Sequence, residues 1–198
     1  MKKIVEQVWS DGFQEAQSLI NTFWNDPQSK DACQRFSNQL VKTLKNGGRI
    51  YTCGNGGSYC DALHFAEELT GRYRKDRRPL PAMALGEGSH STCVANDFGF
   101  EYIFSRQIEA FGRPGDLLLS FSTSGKSPNV LKAIEKAKEL GVYTVSLLGR
   151  DGGPAAKISD LPIVVPAQTS DRIQEIHLKL VHLAIETTER ELFPENYA

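Results

Sequence analysis

No charge excess, no paired cysteines and no long apolar run mark this chain. Its 23 basic and 24 acidic side chains leave a formal net charge of −1, which supplies no electrostatic footprint for nucleic acid or an anionic membrane. The four cysteines (Cys33, Cys53, Cys60, Cys93) include no CxxC pair and no tight framework, so they read as buried thiols of a reducing compartment. After Lys2 and Lys3 no apolar segment of signal-peptide type follows, and nothing approaches membrane-spanning length. A cytoplasmic protein is expected. Repeats, low-complexity linkers and composition shifts are absent too, and 198 residues suit one sizeable core.

What is present is an alternating pattern. Apolar residues recur at helical spacing from Ile4 to Trp24, and Asp26-Pro27 ends that run. A second helix is expected from about Lys30 to Lys45, stopped by Asn46-Gly47-Gly48. Compact apolar runs follow at Ile50–Cys53, Ala82–Leu85, Leu117–Phe121, Tyr143–Leu148 and Leu161–Val165. Helical stretches separate most of them, at Tyr59–Tyr73, Ile103–Phe111 and Asn129–Leu140, and a last helix runs from Ser170-Asp171 towards Phe193. Strands without a polar face, alternating with helices, predict an α/β three-layer sandwich: a five-stranded parallel sheet covered on both sides. Residues 1–198 are expected to form one domain, led by a helical segment over 1–46.

Two strand–loop–helix corners carry the ligand chemistry. The first is Cys53-Gly54-Asn55-Gly56-Gly57-Ser58 and the second runs from Ser120 to Ser127. Ligands of open α/β sheets sit outside the carboxyl ends of strands, where such corners lie. Backbone N–H groups at a helix N-terminus, with the hydroxyls of Ser122, Thr123, Ser124 and Ser127, suit a phosphate. Nucleotide fingerprints fail at both corners. Position 59 is tyrosine where GxGxxG needs glycine, and position 120 is serine where a P-loop needs glycine.

His64 and Glu68 stand four residues apart, on one helical face. They fit a surface hydrogen-bonded pair as well as a ligand or acid–base pair. His90 and His177 read as structural. On the last helix Gln174 and His182 are eight residues apart, which places them about 80° apart around the axis and roughly 12 Å along it. One metal meets both only if it sits between them, or if subunits share the site.

The segments CGNGGS, DALHFAEELTGRY, ANDFGF, STSGKS and DRIQEIH together resemble the sugar isomerase (SIS) domain, from about Asn46 to Glu186. Within that family they resemble the branch that isomerises sedoheptulose 7-phosphate. The resemblance implies a flavodoxin-like sheet and conversion of that ketose to D-glycero-D-manno-heptose 7-phosphate, the first step towards the ADP-heptose of lipopolysaccharide cores. It implies a substrate cradle of Asn55, Gly56, Gly57, Asn96, Asp97, Ser122, Thr123, Ser124 and Ser127, with Glu68 and Gln174 also touching substrate. A zinc ion, one per subunit, is implied on His64, Glu68, Gln174 and His182, with Glu68 and His182 as the catalytic pair. Homotetramers with the site shared between subunits are implied as well. Tyr59 departs from the histidine expected there. The end Leu192-Phe193-Pro194 resembles a non-catalytic SIS protein that binds the bacterial replication initiator, which is the competing reading.

Overall fold

The structure, a computed structural model, describes residues 2–198; Met1, part of the expected helical lead, lies outside them. Helix α1 spans Lys2–Asn25 and α2 spans Pro27–Lys45. Asp26 separates the two and caps the second, its carboxylate accepting from the Ser29 N–H at 2.8 Å. Pro27 stands at the first helical position, where its missing N–H costs nothing. This cap starts α2 three residues before the Lys30 expected from apolar spacing. The strands are β1 (Ile50–Cys53), β2 (Ala82–Ala84), β3 (Leu117–Ser122), β4 (Tyr143–Gly149) and β5 (Leu161–Val165). Between them run α3 (Gly57–Thr70), α4 (Gly88–Asp97), α5 (Ser105–Phe111), α6 (Pro128–Glu139) and α7 (Gly153–Ile158), with α8 (Ser170–Leu192) after β5.

All five strands are parallel, in the order β2-β1-β3-β4-β5. One core packs Phe36, Leu40, Phe65, Leu69, Ile176 and Val181, from α2, α3 and α8, against the sheet. The opposite face is covered by Ile108, Val130, Ile134 and Ala155, from α5, α6 and α7. Burial on both faces explains why β3 is inaccessible along its whole length. Its mid-strand hydroxyl, Ser120, is satisfied by Ser146 at 2.7 Å, which in turn meets Ser159 at 2.6 Å.

Several expectations shift. Helices α4 and α7 lacked a readable apolar period, the first being GSHSTCVAND and the second six residues long. The helix expected to reach Tyr73 stops at Thr70, because Gly71 turns the chain and its N–H closes on Glu67 O at 2.6 Å. Of the four cysteines only Cys53 is buried; Cys33 is half-buried, and Cys60 and Cys93 lie exposed on the outer faces of α3 and α4. Helix α1 buries only Leu19 and Phe23, and leaves Ile4, Val8, Phe13 and Ile20 exposed.

Candidate active site

Strand β1 pairs with β2 on one side and β3 on the other, so the chain leaves β1 and β3 towards opposite faces of the sheet. In open α/β sheets this switch point is where ligands sit. Cys53 and Ser120 are in register across it, which sets the two corners side by side. They are stitched together by the amides of Asn55 and Asn129, which exchange hydrogen bonds of 2.9 and 2.8 Å. Asn129, buried in the first turn of α6, was not singled out from sequence. Its signal was a polar side chain at a helix start just beyond the serine-rich corner.

The second corner turns on Gly125, whose φ of +61° is left-handed and whose missing Cβ lets the Gly152 carbonyl pass against it. Ser122 Oγ accepts from the Gly125 N–H at 3.1 Å and lies 3.5 Å from Ser127 Oγ. Ser124 Oγ accepts from the Lys126 N–H at 3.2 Å. Ser127 holds the N-cap position of α6 without spending its hydroxyl on the helix. Hydroxyls therefore gather at the positive end of a twelve-residue helix. Thr123 Oγ1 meets Ser170 Oγ at 3.0 Å, tying this corner to the start of α8.

One turn into α8, Gln174 donates to Ser58 Oγ at 3.3 Å. A Cβ on Gly57 would come within 2.7 Å of the Gln174 amide, so the glycine leaves room for this side chain to lie against the start of α3. Asn96 and Asp97 do not join them: their side chains bond each other at 2.7 Å, and Asp97 meets Cys93 Sγ at 3.7 Å. Tyr59, the departure noted above, donates to Gly86 O at 3.1 Å and plays a packing role.

Farther along the same two helices lies a second group. His64 Nε2 is 3.2 Å from Glu68 Oε1 and 3.4 Å from His182 Nε2. These three residues can offer ligand atoms that all lie within 4.8 Å of one another. A single ring nitrogen carries either one proton or one lone pair, so His64 Nε2 cannot satisfy a carboxylate and a second imidazole together. A cation between them would. Ligand atoms around a tetrahedral zinc with bonds of about 2.0–2.1 Å sit roughly 3.3 Å apart, which the two measured spacings match. The tyrosine after α3, Tyr73, stacks on His182 with ring centroids 5.9 Å apart. Burial first, then the neighbouring His64, lowers the pKa of His182, and Glu68 opposes them. Asp61, one turn before His64, was also missed; burial raises its carboxyl to about 6, and its Oδ2 has no partner among the described residues.

The serine corner thus meets the start of α8, and the histidine cluster lies farther down the same helix. Ser170 and His182 are twelve residues apart on α8, or about 18 Å along its axis. The remaining histidines are structural as expected: His90 donates to Ile103 O at 2.9 Å and buried His177 to Leu148 O at 3.0 Å.

Comparison with known proteins adds the following. The SIS domain family model matches residues 13–149. Phosphoheptose isomerase of Fusobacterium nucleatum subsp. nucleatum is 50% identical over 179 residues, covering 90% of this chain and 92% of that protein. The enzyme of the same name from Serratia proteamaculans is 51% identical, covering 90% of this chain and 93% of that protein. Among solved structures, phosphoheptose isomerase from Neisseria gonorrhoeae superposes with a TM-score of 0.88 at 35% identity. That superposition covers 93% of this chain and 98% of the other.

Proposed function

The chain belongs to the SIS domain family and, within it, to the phosphoheptose isomerases, and we propose that it divides their chemistry between the serine corner and the histidine cluster. It is an isomerase that converts sedoheptulose 7-phosphate to D-glycero-D-manno-heptose 7-phosphate. The observation that carries the division of labour is the approach of His182 Nε2 to His64 Nε2 beside Glu68.

Isomerisation moves a proton between C1 and C2 through an enediol. That proton is weakly acidic, so the site needs a base at carbon, an acid at oxygen and stabilisation of developing charge. Glu68 and His182 are the acid–base pair. Partial burial favours the neutral imidazole of His182, which can accept or give a proton. Tyr73 fixes the plane of that ring. At the other end Ser122, Thr123, Ser124 and Ser127 hold the phosphate, with Asn55, Gly56 and Gly57 lining the sugar. Binding energy collected there orients C1 and C2. The N, N, O donor set of His64, Glu68 and His182 fits one zinc ion per subunit. When bound, zinc would polarise the sugar carbonyl as a Lewis acid.

The spacing along α8 supports a site shared between copies. Single bonds of about 1.5 Å carry a seven-carbon chain and its phosphate about 10 Å, less than the axial rise between Ser170 and His182, which favours a site completed by a second copy. Sharing between copies would bring one chain's corner to a neighbour's cluster. Helix α1 supports such assembly: Ile4 and Phe13 are each 70% exposed. A groove of about 750 Å³ between α1, α2 and α8 is lined by Ile20, Phe23, Trp24, Leu180 and Leu183. A homotetramer of one-domain subunits is our reading. No described helix is long and apolar enough to cross a membrane, and we place the enzyme in the cytoplasm.

The replication-initiator reading has less support. Its one feature, the Leu192-Phe193-Pro194 end, is accounted for by internal packing: Phe193 lies against the core, with Arg78 5.7 Å from its ring.

Subunit mixing tests the shared site. Glu68→Gln is co-assembled with the Ser122→Ala/Thr123→Ala double variant, each nearly inactive alone. Mixed tetramers should recover activity, because some interfaces then join an intact corner to an intact cluster. No recovery in demonstrably mixed tetramers would place the whole site in one chain. Elemental analysis should find about one zinc per chain, and light scattering about four times the 22.0 kDa chain mass.

A further inference from the structure

We propose that Arg77, Glu189 and Tyr197 form a buried clamp that fixes α3 against α8 and so positions Glu68 opposite His182. The proposal rests on the reading of that cluster as the acid–base site, and its control below separates the two.

Helix α3 ends at Thr70, two residues after Glu68, and its last carbonyls need partners. Arg77, seven residues beyond, folds back and supplies them. Its Nη2 donates to the backbone carbonyl of Glu68 itself at 2.7 Å. Its Nη1 donates to Leu69 O at 2.8 Å and Gly71 O at 2.9 Å. A cation is well placed there, at the negative end of the helix. The third arm, Nε, donates to Glu189 Oε1 at 2.8 Å, and both side chains of this pair are only 1% exposed. Glu189 spends its other oxygen on the Tyr197 hydroxyl, at 2.6 Å. The short 3₁₀ turn Pro194–Tyr197 that brings this tyrosine round is held by Asn196, which donates to Asp76 O at 2.9 Å.

Spacing turns this network from a cap into a positioning device. Glu189 follows His182 by seven residues, about 20° short of two full turns, so both lie on one face of α8 and about 10 Å apart. On α3 the guanidinium grips the residue that carries the carboxylate. One rigid fork thus spans two helices next to the pair whose separation matters. Stability alone is a poor reason for such a pair, since buried ion pairs are often replaceable by apolar residues at no loss. A fixed distance is a better reason: misplacement by about 1 Å can cost on the order of 10²-fold in rate. Weaker links run alongside, Arg74 reaching Glu186 at 2.9 Å, but these are partly exposed.

The test compares the Arg77→Met/Glu189→Met double variant, Tyr197→Phe and wild type in turnover of sedoheptulose 7-phosphate, corrected for folded fraction by circular dichroism. Glu68→Gln is the control. Removing both charges together avoids stranding one of them. The double variant should lose about tenfold or more in kcat with KM within about threefold, because the clamp touches neither strand–loop–helix corner, and the phosphate corner lies at the start of α6. Tyr197→Phe, which deletes one oxygen, should lower kcat about threefold at unchanged KM, and it decides the matter if the double variant does not fold. Wild-type kcat in the folded variants, or a raised KM with kcat kept, would overturn the clamp while Glu68→Gln stays inactive. An active Glu68→Gln would instead remove the acid–base reading, and the clamp's purpose with it.

Discussion

His64 and His182, 118 residues apart in sequence, bring their Nε2 atoms to 3.4 Å across the packed pair α3 and α8. A hydrogen bond between the two rings would use the one proton or lone pair that His64 Nε2 carries. Glu68 Oε1 also lies 3.2 Å from that nitrogen, so the three side chains form a group that could hold a cation.

Replacing Glu68 or His182 by glutamine should therefore cost catalysis and little else. Proton transfer by a positioned group contributes about 10²–10⁴ in rate. Glu68→Gln and His182→Gln should each lower kcat by at least about 10²-fold, with secondary structure and assembly kept. Steady-state kinetics beside circular dichroism and light scattering check this, and near-wild-type turnover in either variant removes that residue from the mechanism.

At the serine corner the expected loss is in binding. A hydrogen bond to a charged group is worth about 1.5–3 kcal/mol, so Ser122→Ala, Thr123→Ala and Ser127→Ala should each weaken sugar-phosphate binding by about tenfold or more. Ser122→Ala should be the most severe, because its Oγ also accepts from the Gly125 N–H and shapes the turn. Lys126 is exposed, and Lys126→Ala should change affinity little. Calorimetric titration with the sugar phosphate distinguishes them; equal affinity in all three hydroxyl variants moves the phosphate elsewhere.

Much of this was legible because two periodicities dominate the chain. Residues such as Leu117–Leu119 and Val145–Leu148 are buried on both faces of the sheet, and an unbroken apolar run records that directly. The corners were legible because glycines and hydroxyls cluster directly after two of the apolar runs. Long-range geometry was not. That Asn55 would pair with Asn129, or Arg77 with Glu189, depends on the superposition of elements 74 and 112 residues apart. Nor could spacing alone assign Gln174 and His182: the structure sets the first beside Ser58 and the second beside His64. Helix α4, without an apolar stripe, was invisible for the opposite reason, being held by the cap of Glu87 on the N–H groups of Ser89 and His90.

Buried His177 should govern acid sensitivity. Burial pushes its pKa down from 6.5 to about 4, against the donation to Leu148 O. Between these values the unfolded chain binds a proton that the folded one does not. Its contribution to stability is thus complete above about pH 6.5 and is lost as pH falls through about 4, amounting to roughly 3 kcal/mol. His177→Gln keeps a donor for the Leu148 carbonyl and removes the titration. Denaturant unfolding of wild type and variant from pH 7.5 to 4 should converge as pH falls; parallel profiles would mean another group dominates.

The central claim is tested most directly by incubating the purified protein with sedoheptulose 7-phosphate and following the products by NMR. D-glycero-D-manno-heptose 7-phosphate should appear with wild type and not with Glu68→Gln or His182→Gln. Substrate left unchanged by folded, zinc-supplied wild-type protein would contradict the account.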